Sequence, residues 1–148
     1  SVTYEDPTKT RGDILSLLEG NIFGCITAVK CLDEGVDIPA VETGIFMASS
    51  GNPKQFVQRR GRILRKNKMT NKESAKIYDI LVSPPIPAEG EDGSCNEKKL
   101  IAKELLRHKQ FAEISENKYE AFEKISEVAR RFGINLDRLD YDYIKNLG

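Results

Sequence analysis

A chain of 148 residues carries 23 lysines and arginines against 23 aspartates and glutamates, with 39% hydrophobic and 31% charged residues. That length buries one compact core, or one core with an appendage, and no apolar run approaches membrane-spanning length. Net neutrality says nothing for or against a polyanionic partner. Three cysteines (Cys25, Cys31, Cys95) and the single His108 lack the paired spacing of a structural metal site. The N-terminal run Ser-Val-Thr-Tyr-Glu-Asp does not read as a signal peptide. A reducing, cytoplasmic setting is expected, with free thiols, Cys25 and Cys31 being core residues.

In chain order, Thr3-Tyr4 ends a strand and Asp6-Pro7-Thr8 opens a helix bearing Ile14, Leu15, Leu17 and Leu18, stopped by Gly20-Asn21. Ile22 to Val29 is short, apolar and β-branched, as a buried strand should be, and Thr43 to Ala48 is a second such strand. Asn52-Pro53 supplies an N-cap and a first-turn proline for a helix through Phe56, Val57 and Arg60. Ala75 to Val82 reads as a third strand. Strands alternating with helices predict an α/β fold with a parallel sheet flanked by helices.

Ser83 to Cys95 holds three prolines and two glycines around the acidic cluster Glu89-Gly90-Glu91-Asp92, which reads as a linker or mobile loop. Beyond it the period becomes helical. Ile101, Leu105, His108 and Ala112 form one stripe, and Phe122, Ile125, Ala129 and Phe132 another. Asn117 is placed to cap the second helix, Gly133 to end it, and Leu139, Tyr143 and Leu147 suggest a short last helix. The expected organisation is an α/β domain over residues 1–83, a linker over 84–95 and an α-helical C-terminal extension over 96–148.

Charge is unevenly distributed. Residues 1–53 carry eight acids and three bases, whereas Lys54 to Lys72 holds eight bases and no acid. Such a block is either a solvated face or a polyanion contact. Inside it lies Gln58-Arg59-Arg60-Gly61-Arg62-Ile63-Leu64-Arg65. Two arginines three residues apart at a helix start would share one side and reach a common anion, and the glycine lets a phosphate or a facing backbone approach. For Lys66, Lys68 and Lys72 a solvated loop is the simpler expectation.

A second run, Leu32-Asp33-Glu34-Gly35-Val36-Asp37-Ile38-Pro39, follows the Ile22–Val29 strand, where α/β proteins place ligands. By itself Gly-x-Asp is as compatible with an ordinary strand-to-loop turn. Together the two runs resemble motifs V and VI of superfamily 2 helicases and translocases, read as L-x-E-G-x-D-x-P and Q-x-x-G-R-x-x-R. The form is similar to that of type III restriction subunits and nucleotide-excision-repair helicases. The resemblance spans about residues 4 to 82 and implies a partial second RecA-like domain. It further implies Gly35 near the nucleotide, Asp37 on its ribose, Gln58 at the cleft, and Arg62 and Arg65 as arginine fingers toward the γ-phosphate. Arg59 and Arg60 remain divided between cleft and sheet.

For nucleic acid, the resemblance points to motif V and nearby loops. The position where the family has Thr or Ser holds Val29 here, leaving Thr27, Lys30 and Ser49 (with Ser50) as candidate phosphate contacts. No G-x-x-x-x-G-K-[ST] and no Asp-Glu-x-His box occurs in the 148 residues. The resemblance therefore implies ATP and Mg²⁺ held with a first RecA-like domain, in the same longer chain or in trans, with none bound by this chain alone. The expected function is the second motor half of an ATP-dependent DNA helicase in restriction, DNA defence or repair, with no ATP hydrolysis by this chain alone. The alternatives are a catalytically silent binding or regulatory module on the same fold, and a stand-alone nucleic-acid binder.

Overall fold

The computed structural model describes residues 2–3, 5–19, 24–29, 41–47, 53–68, 71–88 and 93–147. The chain divides into two compact units, residues 1–78 and 79–148.

In the first unit, β1 (Val2–Thr3) and β2 (Ala28–Val29) pair in parallel, with Val2 opposite Ala28 and Thr3 opposite Val29. Parallel partners need a crossover, and α1 (Thr8–Glu19) lies on it. Asp6 ends β1 early. Its Oδ2 accepts from the Thr3 N–H at 2.6 Å and the Thr3 hydroxyl at 3.0 Å, and its own N–H donates to the Thr3 carbonyl. These bonds from Thr3 hold the Asp6 carboxyl below its ordinary value. The Pro7 carbonyl then accepts from Arg11 N–H at 3.0 Å as α1 begins. Leu15 is its buried contact, with Ile14 and Leu17 half-buried.

The strand expected over Ile22 to Val29 is shorter. Among the described residues only Ala28–Val29 is strand, and Gly24, Cys25 and Thr27 are exposed. Among the described residues the ladder with β1 is two residues long, and strand structure follows that pairing. Cys25 is correspondingly an exposed thiol rather than a core one.

A second two-stranded sheet joins β3 (Thr43–Phe46) to β4 (Lys76–Asp79). Between them in sequence comes α2 (Pro53–Ile63). A Cβ at Gly44 of β3 would lie 2.6 Å from Ile63 Cδ1. Glycine is therefore what lets the last turn of α2 lie directly on the strand. β4 stops short of the expected Val82, and Ile80 and Val82 beyond it are exposed.

The second unit is helical: α3 (Cys95–Ala112), α4 (Lys118–Arg131) and α5 (Tyr141–Lys145). The two predicted stripes meet in its core, where Ile101, Leu105, Ala129, Phe132 and Leu139 are at most 2% exposed. Ser94 and Glu97 form a capping box on α3, with Glu97 N–H on Ser94 Oγ and Ser94 N–H on Glu97 Oε2 at 2.8 Å. Gly133, at φ 63°, ends α4: its N–H bonds Arg130 O, and Ile134 N–H returns to Ala129 O at 2.9 Å. Asn117 stands at the α4 N-cap without a side-chain cap bond. Lys109 Nζ donates to the Leu136 carbonyl at 2.9 Å, holding the loop before α5. Asp79, whose side chain is 4% exposed, is clamped by Arg107, which also bonds Glu104 at 2.7 Å. His108 Nδ1 bonds the Glu104 carbonyl at 2.9 Å and its Nε2 lies 3.5 Å from Asp79 Oδ2.

Candidate functional site

The site candidates that the structure describes cluster on α2 and the turn after it. Pro53 occupies the first helical position, where a missing N–H costs nothing. Ile63 is the anchor, buried against Gly44. With Ile63 inward, Gln58 and Gly61 are exposed, Arg60 and Arg62 are half-buried, and Arg65 is exposed. A Cβ at Gly61 would meet nothing within 4 Å among the described residues. Burial pushes the Arg60 guanidinium below its ordinary value.

One geometric expectation changes. The motif falls at the end of α2 and not at its start: Arg62 is in the last turn and Arg65 two residues past Ile63. Helical i,i+3 spacing therefore does not relate the two arginines. What fixes their relation is the way the helix is terminated.

That termination uses a residue the sequence reading placed in a solvated loop. Lys72 is 6% exposed, and its ammonium donates to the carbonyls of Ile63 and Val41. It arrives there because residues 67 and 72 pair as an antiparallel bridge, Asn67 N–H to Lys72 O at 3.2 Å and Lys72 N–H to Asn67 O at 3.0 Å. Asn71, at φ 54°, makes the turn, a conformation asparagine tolerates better than most residues. Burial pushes the Lys72 ammonium below its ordinary value, with Glu42 opposing. Lys66 and Lys68 are exposed, as a solvated loop requires. Nothing in the local sequence marks Lys72 as internal, since its partners are backbone carbonyls 9 and 31 residues away.

Thr27 lies in irregular chain just ahead of β2 and is exposed, so it does not point into the sheet. Gly35, Asp37, Lys30 and Ser49 lie outside the described residues, as does Cys31. Among the described residues no group of three or more His, Cys, Asp or Glu side chains could hold a metal ion, and no helix is long and apolar enough to cross a membrane.

Comparison with known proteins finds similarity over the first part of the chain. A family model described as the helicase conserved C-terminal domain matches residues 2–67. Among curated proteins, the chain is similar to the DNA 3'-5' translocase XPB2 of Sulfurisphaera tokodaii, with 42% identity over 65 residues. That similarity takes in 44% of this chain and 15% of the relative's length. No solved structure matches the chain.

Proposed function

We propose that residues 2–67, which match the helicase conserved C-terminal domain, are the second RecA-like domain of a superfamily 2 enzyme and that the chain is half of an ATP-driven DNA motor. In this reading Arg62 and Arg65 are arginine fingers. ATP and Mg²⁺ are held chiefly by a first RecA-like domain, with Gly35, Asp37 and Gln58 lining the near side. Thr27, Lys30 and Ser49 contact the phosphates of a DNA strand. DNA repair or DNA defence is the proposed setting, in the cytoplasm.

The observation that carries the proposal is the joint occurrence of a family match over residues 2–67 and the Gln58–Arg65 run at the end of α2. The donor set fits a triphosphate. Guanidinium groups stay charged and present a forked pair of donors to phosphate oxygens. Bound ATP with Mg²⁺ would supply the phosphoryl group and its leaving group. The part of this chain is to place positive charge where negative charge grows on the γ-phosphate, and the exposed Gln58 is placed to report nucleotide state to the facing domain.

The test uses the enzyme that joins this chain to a first RecA-like domain. Arg62→Ala and Arg65→Ala are each expected to lower DNA-stimulated ATP turnover by about 10³-fold or more, with DNA affinity nearly unchanged. Turnover unaffected by both substitutions would refute the motor role and leave a helicase-like module without catalysis.

A further inference from the structure

Lys72 belongs to neither motif-like run and lies beyond the family match, which ends at residue 67. We propose that Lys72 is a positioning residue for the arginine edge: by bonding the carbonyls of Ile63 and Val41, its ammonium fixes the end of α2 and thereby the points from which Arg62 and Arg65 reach the nucleotide.

The last four carbonyls of a helix have no partner within it, and the negative end of the helix dipole is there. Ile63 O is one of these, and it sits in the chain between the two arginines. A buried cation at that carbonyl satisfies it and complements the dipole. The second bond reaches Val41, two residues after Pro39, which closes the Leu32–Pro39 run, and two before β3. One ammonium thus ties the exit of the first run to the exit of the second. The Asn67–Lys72 bridge makes the tie short, returning the chain within five residues of Asn67. Gly44 adds to the seat, since a Cβ there would lie 2.6 Å from Ile63 Cδ1 and make that side chain shift. Arg65 lies past the last residue of α2, and its backbone runs between Ile63 and Asn67, both partners of Lys72.

Resting on the proposed finger role of Arg62 and Arg65, the inference is tested in the same two-domain enzyme with Lys72→Met, which keeps the aliphatic length and removes the donors. Turnover is expected to fall roughly 10²-fold, as for a misplacement of about 1 Å at reacting groups. KM for ATP should stay within about 3-fold, because binding in the ground state is left to other groups. On an Arg62→Ala/Arg65→Ala background, Lys72→Met should remove little further activity, since it acts through the residues already lost. A folded Lys72→Met enzyme with wild-type turnover, or losses that multiply in that combined variant, would overturn the proposal. If Lys72→Met does not fold, Lys72→Arg takes its place under the same criteria: its wider planar head cannot serve both carbonyls as the ammonium does, so wild-type turnover in that variant would also overturn it. Arginine variants that keep full turnover would sink the motor reading and this role with it; arginine losses beside a silent Lys72 sink only this role.

Discussion

Arg107→Met is the most direct test of the energetics in the helical unit. Arg107 and Asp79 have side chains 11% and 4% exposed, so removing the guanidinium leaves a carboxylate almost wholly out of water with His108 as its nearest remaining cation source. Breaking a buried pair in this way costs about 3–5 kcal/mol, mostly the penalty of the stranded charge. Residues 79–148 form a 70-residue unit, and at roughly 0.05–0.15 kcal/mol per residue its stability is about 3–10 kcal/mol. The substitution therefore removes a large part of the stability of α3, α4 and α5. Asp79→Asn combined with Arg107→Met should recover much of it, because no charge is then left buried. The assay is urea unfolding followed by circular dichroism, with amide exchange locating the loss in residues 95–147. A single-variant loss below about 1 kcal/mol would refute the reasoning and class the pair with surface ion pairs.

Two further outcomes concern the caps of the same unit. Hydrogen bonds from the Ser94 hydroxyl and N–H hold the Glu97 carboxyl below its ordinary value. The capping box is therefore fully formed above the unfolded-state Glu pKa and is lost as pH falls through the lower folded value. Exchange of the first α3 amides should accelerate across that acidic window in the wild type and show no such step in Ser94→Ala. Gly133→Ala forces an L side chain to φ 63° at the α4 stop and should cost about 1–2 kcal/mol, read by thermal melting. An unchanged melting temperature would mean that the turn relaxes without strain.

Much of the helical unit was legible because its signals are local. A helix repeats its exposure every three to four residues, so Ile101, Leu105, Ala112, Ile125, Ala129 and Phe132 declare a buried face by spacing alone, and all six are buried. Gly133 is likewise marked by its type, since few residues adopt a left-handed stop. The Ser94-x-x-Glu97 box was equally readable from its spacing, though the proline-rich stretch before it drew it into an expected linker. The resemblance to helicases was legible in the two motif-like runs, which name residue types at fixed intervals, and both lie within residues 2–67, where the family model matches.

What the tertiary structure decided are the places where partners lie far apart in sequence. The described pairing in the first unit is a two-residue ladder between β1 and β2, which no property of Ile22 to Val29 encodes. The buried Lys72 is the same residue type as the exposed Lys66 and Lys68, and it is the bridge back to Asn67 and the carbonyls of Ile63 and Val41 that hold it inside. Asp79 draws its partners from Arg107 and His108, nearly thirty residues on, across the whole proline-rich stretch. Residue type and spacing specify which groups can do chemistry, because those are properties of the local chain. Where the charges end up depends on desolvation, and desolvation depends on what the rest of the fold brings alongside.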